Sequence, residues 1–209
     1  MKKLAFSLTV CLLALQMTSC KKEAKKETEQ EEITVEKKQA AFSLQNADNQ
    51  INWTAFKTTD KVPVKGQFQK VTITAGGEGE TAKDAINNAA FSVPVSSIFT
   101  SDTSRDFKIK KFFFGVMDST ELLSGKLVLE NDSIGYTDLT MNGVTKKLPF
   151  NYSLDGKTFT MNASMKISDW QAEKALDSLN LACKDLHKGA DGVSKTWDDV
   201  AIQITSVFK

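Results

Sequence analysis

Beyond residue 40 the chain alternates apolar and polar positions with a period of two, as strands buried on one face do. Ile51, Trp53 and Ala55 alternate with Asn52 and Thr54. Val62, Val64, Gly66 and Phe68 share one parity and Val71 and Ile73 the other, which predicts a bulge near Gln69-Lys70 that bends the strand. Phe91, Val93 and Val95 follow, with Pro94 outward as in an edge or irregular strand. Leu127 and Leu129 share a face. Ile134 and Tyr136 share another, and the parity switches before Leu139 and Met141. Asn142-Gly143 signals a hairpin, and Leu148, Phe150, Tyr152 and Leu154 lead from it to a second turn at Asp155-Gly156. Phe159, Met161, Ala163 and Met165 come next, and Val200, Ile202, Ile204 and Phe208 end the series.

The tally is about eight strands, most joined by short turns, which makes the sheet antiparallel. Closing it into a barrel removes the edges that an open sheet would expose. Two stretches have helical spacing instead. One runs from Arg105 to Phe114 and is short and basic. The other runs from about Asp169 to Lys188, with Ala172, Ala175, Leu176, Leu179, Cys183 and Leu186 on one side. Ser168 or Asp169 caps its start and Gly189 marks its stop. The expected fold is mainly β, an eight-stranded antiparallel barrel with a short basic helix and a longer helix between the last two strands.

The first forty residues follow different rules. Lys2 and Lys3 precede a short apolar run from Leu4 to Leu15, the form of a secretory signal rather than of a membrane span, which needs about 20 apolar residues. Met17-Thr18-Ser19-Cys20 resembles the lipobox of bacterial lipoproteins, with Met17 where Leu is usual. The resemblance implies cleavage after residue 19 and a lipid on Cys20, with ordinary secretion and a free Cys20 as the alternative. Residues 21–38 read KKEAKKETEQEEITVEKK, too charged to fold alone, and serve as a tether. The expected organisation is a signal over 1–19, a lipidated cysteine and charged tether over 20–41, and a barrel domain over 42–209. Lys21 stands where an Asp would favour inner-membrane retention in the lipoprotein family, so the expected location is the outer membrane, facing the periplasm or the cell surface.

Charge and composition narrow the chemistry. With 27 basic and 26 acidic residues the chain has a formal charge of +1, which gives no reason to expect a nucleic-acid partner. Removal of the signal and lipidation of Cys20 leave Cys183 unpaired, so no intramolecular disulfide is expected. His187 is the sole histidine, which excludes a metal site of several histidines. Cys183 and His187 are spaced to share a helix face, yet nothing marks an orienting group or an oxyanion hole for a nucleophilic dyad. Phosphate-loop, dinucleotide and HExxH patterns are missing. No catalytic residue, metal or cofactor is expected.

An eight-stranded barrel is either just filled by side chains or hollow enough for one small or slender ligand. The candidate inward residues are Trp53, Phe68, Leu139, Met141, Phe150, Tyr152, Phe159 and Met161, all suited to an apolar guest. Periodicity does not decide between that reading and a packed core. Arg105, Lys108, Lys110 and Lys111 beside Phe112, Phe113 and Phe114 read either as a mouth, with Arg105, Lys108 and Lys111 receiving an anionic head and Phe112 and Phe113 meeting its tail, or as a solvated helix face with an apolar anchor.

In order along the chain, Ile51-Asn52-Trp53, Gly66-Gln67-Phe68, Val95-Ser96-Ser97-Ile98-Phe99-Thr100, Arg105-Asp106 to Lys111-Phe112-Phe113, and Asp138-Leu139-Thr140-Met141-Asn142-Gly143-Val144-Thr145-Lys146 resemble the YceI-like lipid-binding proteins. The resemblance spans about Phe42 to Phe208. Asn142 replaces the His of many relatives, Asp169-Trp170-Gln171 replaces an Asp-Phe-Gly ending, and the later helix is longer than usual. The resemblance implies a lipocalin-like barrel around a long isoprenoid-type lipid, without catalysis. The expected partners are therefore an apolar lipid in the lumen and a membrane reached through the Cys20 lipid; a homodimer stays open. The other reading is a solid barrel that docks a protein partner through its exposed helices.

Overall fold

The computed structural model describes residues 40–209. The signal, the lipobox and all but the last residues of the tether lie outside them. Twelve strands form along the described chain. They are β1 (Phe42–Ser43), β2 (Asp48–Lys57), β3 (Val62–Phe68), β4 (Thr72–Ala75), β5 (Glu78–Gly79), β6 (Ala90–Pro94), β7 (Ile98–Phe99), β8 (Leu122–Leu129), β9 (Ile134–Met141), β10 (Val144–Asp155), β11 (Thr158–Lys166) and β12 (Thr196–Val207). Three helices interrupt them: α1 (Ala82–Ile86), α2 (Thr103–Phe112) and α3 (Glu173–Ala182).

β1 and β5 make a small pair, and the other ten segments form one antiparallel sheet in the order β4-β6-β8-β9-β10-β11-β12-β2-β3-β7. Ten segments rather than eight reflect a corner. β3 continues through Gln69–Val71 into β4, and β6 continues through Val95–Ser97 into β7. β3 pairs with β7 at one end of the ladder and β4 pairs with β6 at the other, so both ends are halves of the same two bent strands. Counted whole, the strands number eight and the sheet curls back on itself. At the corner the Gln69 N–H donates to the Ser97 carbonyl at 3.0 Å. The parity switch at Gln69-Lys70 is this bend.

Curvature also shows in three cross-strand pairs of glycine and aromatic residues. Gly66 faces Trp53, Gly125 faces Phe91 and Gly135 faces Phe150. A Cβ on Gly66 would lie 2.2 Å from the Trp53 ring, and one on Gly135 2.7 Å from the Phe150 ring. Each ring covers the bare backbone opposite it, a pairing that lets a sheet curve.

Gly135 corrects one expectation. β9 keeps a single parity, with Gly135, Thr137, Leu139 and Met141 buried in turn, and Ile134 and Tyr136 lie on the outer face. The apparent switch arose because the inward positions before Leu139 are glycine and threonine. The hairpin after β9 is as expected: Asn142 and Gly143 both have positive φ, the requirement of the primed turn that matches strand twist. The next turn falls one residue later than expected, on Gly156-Lys157, with positive φ at Gly156.

The longer helix is shorter than its apolar spacing suggests. Ile167–Trp170 forms a separate 3-10 turn, Gln171 adopts a left-handed φ of 55°, and α3 runs only from Glu173 to Ala182. Trp170 is buried, its indole N–H donating to the Leu139 carbonyl at 2.9 Å. The Asn142 amide donates to the carbonyls of Trp170 and Gln171, each at 3.0 Å, satisfying oxygens that a continuous helix would have used. α1 was not anticipated. Thr81 and Asp84 close a reciprocal capping box around its start.

Two apolar clusters divide the barrel along its length. At one end Leu44, Ala82, Ala85, Ile86, Phe150, Tyr152, Phe159 and Phe208 pack into a solid plug that includes α1. At the other end Leu139, Met141, Leu148 and Met165 meet Ile109 of α2, Phe113, Phe114 and Ala175 of α3. The space that remains lies beneath these two helices.

Candidate functional site

Two adjoining cavities occupy the helical end. The inner one offers about 180 Å³ to a water-sized sphere. β2 contributes Trp53 and Ala55, β3 Phe68, β9 Leu139 and Met141, β11 Met161 and Met165, and β12 Val200 and Ile202. Ile109, Phe113, Phe114, Leu176 and Leu179 roof it. The wall is almost wholly carbon, the condition under which a void stays dry and takes an apolar guest. Two polar atoms buried among these residues, the Trp53 indole nitrogen and the Thr137 hydroxyl, have no hydrogen-bond partner.

Of the inward residues expected from parity, Trp53, Phe68, Leu139, Met141 and Met161 line this cavity. Phe150, Tyr152 and Phe159 share their face but sit deeper, in the plug. Phe150 stacks edge-on with Tyr152 at 6.2 Å, and the Tyr152 hydroxyl donates to the Asn131 carbonyl. Parity gives the face of the sheet, not the depth along the barrel, and α1 is what fills the far end.

The outer cavity has about 380 Å³. Trp53, Ala55, Ile109, Leu179 and Thr196 line both spaces, so the two share a wall. Beyond them its wall carries Lys57, Asp102, Arg105, Lys108, Cys183, Leu186 and His187. Arg105 and Lys108 of the expected mouth stand here, and Phe113 belongs to the inner wall. Lys111 lies over the rings of Phe107 and Phe112 at 5.4 and 5.2 Å, and neither Lys111 nor Phe112 lines either cavity. Lys57 and His187 were not foreseen as mouth residues. Lys57 shares the parity of Trp53 and Ala55, which was a legible signal. His187 arrives from the loop after α3, where sequence offered none.

α2 begins here because the Asp102 carboxylate accepts the Arg105 backbone N–H at 3.0 Å, a bond that also holds the Asp102 carboxyl below its usual range. The Arg105 guanidinium reaches the same carboxylate at 3.6 Å. Lys108 donates to the Ser104 hydroxyl at 2.7 Å and Lys57 to the Leu186 carbonyl at 3.1 Å. The bulge in β12 between Thr196 and Val200 shapes the rim. It sends the Trp197 indole N–H to the Thr58 carbonyl at 2.7 Å and lets Asp198 accept from the Ser168 N–H and hydroxyl.

The His187 backbone N–H donates to the Cys183 carbonyl at 2.9 Å, but the His187 ring is engaged elsewhere. The His187 ring bonds Thr196 through Nδ1 at 2.7 Å. Burial, then the positive charge of Lys57, push its pKa down to about 4, so the ring is neutral near pH 7. Burial pushes the Cys183 thiol up, against the pull of Lys108 and Lys57. A raised thiol beside a ring engaged elsewhere is the opposite of an activated nucleophile. Among the described residues no group of three or more His, Cys, Asp or Glu is placed to hold a metal ion. None of their helices is long and apolar enough to cross a membrane, which says nothing of strands.

Known proteins can now be set beside this geometry. The family model of the YceI-like domain matches residues 32–208. No curated protein matches the sequence. Among solved structures the chain resembles a polyisoprenoid-binding domain from Saccharophagus degradans, with a TM-score of 0.58 at 13% identity, covering 81% of this chain and 98% of that one. It also resembles BcnA of Burkholderia cenocepacia, with a TM-score of 0.50 at 17% identity over 76% of this chain and 95% of that one. A YceI protein of Campylobacter jejuni gives 0.50 at 17% identity over 70% and 85%. At these identities the likeness concerns the fold.

Proposed function

This chain belongs to the YceI-like family, and on that premise we propose that it binds an isoprenoid-type lipid in the hollow half of its barrel and performs no reaction on it. The observation that carries this reading is the inner cavity, a carbon-lined space of about 180 Å³ that adjoins a wider one with charged side chains in its wall. A chain of repeated methyl-branched units matches a wall of Met, Phe, Leu and Ile side chains, whose contacts are dispersive and non-directional. The polyisoprenoid-binding domain from Saccharophagus degradans, which has the same fold, supports that choice among apolar guests. The absence of catalysis is part of the proposal and rests on the raised thiol of Cys183 and the engaged ring of His187.

The proposed setting is the cell envelope, with the barrel tethered through a lipid on Cys20 to the outer membrane. Met17-Thr18-Ser19-Cys20 and the charged stretch after it support this. Cys20→Ser is expected to move the protein from the membrane to the soluble fraction of the envelope; retention in the membrane would refute the anchor.

Organic extraction of purified protein followed by mass spectrometry tests the central claim. A prenyl lipid at near one per barrel is expected. A barrel that carries no lipid and takes up none when polyprenol is added would refute it. A docking role for the exposed helices draws support from Phe107 and Leu181, apolar side chains 55% and 74% exposed, but it does not explain a cavity.

A further inference from the structure

We propose that the outward faces of α2 and α3 form a docking surface for an anionic phospholipid bilayer. The surface is independent of what fills the barrel. Ile109 of α2 and Leu179 of α3 face the cavities, and the two helices pack side by side. Phe107 and Leu181 each lie two residues from them, about 200° around their helix, so both look outward from the same roof. They are 55% and 74% exposed, and Leu186 on the rim of the outer cavity is 59% exposed.

Charge selects the partner. Along α2 stand Arg105, Lys108, Lys110 and Lys111 against one acid, Asp106. Asp106 is turned inward and buried, its carboxylate accepting from the Thr100 N–H at 2.9 Å and hydroxyl at 2.6 Å. The water-facing surface of α2 therefore carries cations without a carboxylate of its own. Arg105 meets the capping Asp102, whereas Lys108, Lys110 and Lys111 meet no carboxylate among the described residues. Lys111 lies over the rings of Phe107 and Phe112, which meet edge-on at 6.5 Å. That arrangement suits a bilayer interface, where the rings enter the acyl boundary while the ammonium stays among the phosphates. α3 is balanced, with Glu173 and Asp177 against Lys174 and Lys184, and contributes apolar contact rather than charge.

The chain length permits this orientation. The described chain enters at the plug, where Phe42 stacks on Phe208 at 5.4 Å. Residues 21–41 can reach about 70 Å, and the 12 residues of β10 span about 40 Å. A lipid on Cys20, as proposed above, would leave the helical end free to turn toward the same membrane.

The test uses the full chain with Cys20→Ser, purified from the soluble envelope fraction so that no anchor contributes. An environment-sensitive fluorophore is placed on Ser104→Cys, which shares the outward face with Phe107 and Lys111, or on Lys157→Cys in the turn at the plug; the buried Cys183 is spared. With vesicles of equal phosphatidylglycerol and phosphatidylcholine, the protein should float and the label at 104 should shift to the blue, while that at 157 stays in water. Binding should weaken on phosphatidylcholine alone and at high salt. Lys110→Gln with Lys111→Gln should weaken it roughly twentyfold, at about fivefold per lysine. Phe107→Ser with Leu181→Ser should abolish the blue shift with β-sheet circular dichroism unchanged, both side chains being exposed. No flotation with anionic vesicles, an equal shift at 157, or a shift indifferent to all four substitutions overturns the docking surface. A shift that grows with protein concentration in the absence of vesicles also overturns it, assigning the face to a second copy. None of these outcomes touches the lipid in the lumen, which extraction and mass spectrometry test separately.

Discussion

Replacing Ala55 with leucine separates a hollow barrel from a solid one by the sign of a stability change. Ala55 is half-buried on β2, and its methyl group lines both cavities. Leucine adds three carbon atoms there. If they enter free space, burying them is worth about 2 kcal/mol at roughly 0.8 kcal/mol per methylene. Restricting the new side chain returns about 0.5–1 kcal/mol, so the lipid-free variant should be more stable by about 1 kcal/mol. For a chain of this size that raises Tm by about 2–4 °C. In a filled core the same carbons would overpack and cost about 1–3 kcal/mol. Urea unfolding of lipid-free protein, followed by circular dichroism, gives the sign directly. Extraction and mass spectrometry should show less lipid per chain, because the added carbons occupy space where the two cavities adjoin. A variant destabilised by about 1 kcal/mol or more with unchanged lipid content would refute the hollow-barrel reasoning.

Three further outcomes follow from local geometry. Gly66→Ala places a Cβ 2.2 Å from the Trp53 ring and should cost about 1–3 kcal/mol in urea unfolding while shifting tryptophan emission as the indole is displaced. Asn142→Ala loses the bond from the Asp118 N–H and those to the Trp170 and Gln171 carbonyls. It should destabilise by about 2–3 kcal/mol, and Asn142→Gly, which keeps the positive φ, should separate the backbone share of that loss. His187 titrates near 4 in the folded protein against 6.5 in the free side chain. Between those values the unfolded chain binds more protons, so stability should fall as pH drops from about 6.5 toward 4. Comparing urea midpoints across that window, His187→Gln should flatten this part of the profile; an unchanged slope would show that the histidine is not its source.

The sequence made some of this structure plain and hid the rest for identifiable reasons. The Asn142-Gly143 hairpin was legible because positive φ at two successive residues demands that chemistry. The corner at Gln69 was legible because a bend between half-buried strands must break parity. Thr137 and Gly135 misled, since inward positions are recognised by their apolar side chains and these have a hydroxyl and a hydrogen. The length of α3 was overstated because Cys183 and Leu186 continue the helical spacing beyond Ala182, although Leu186 stands 59% exposed. In the site, parity found the strand contribution to the inner wall but not its limit, for nothing local marks Phe150 or Phe159 as deeper than Met161. The roof from Ile109, Leu176 and Leu179 was missed because helix residues that face a cavity look like those that face a core. The mouth joins residues from β2, α2 and the loop before β12, a juxtaposition that only the closed barrel creates.

The order of strands has a temporal meaning. β12 lies between β11 and β2, with Val207 opposite Asp48 and Ala201 opposite Thr54. A partner for β2 is therefore supplied by a segment made some 150 residues later, one of the most distant pairings in the described chain. Until that segment is available, β2 and β11 each present an unpaired backbone edge, the inner cavity lacks its Val200 and Ile202 wall, and the outer one lacks Thr196. Hairpins such as β9–β10 can form early, but closure is a late event of high contact order and correspondingly slow. A chain emerging N-terminus first through a narrow pore would have no closed barrel until its final strand had passed, so under the proposed function lipid would enter only after complete release.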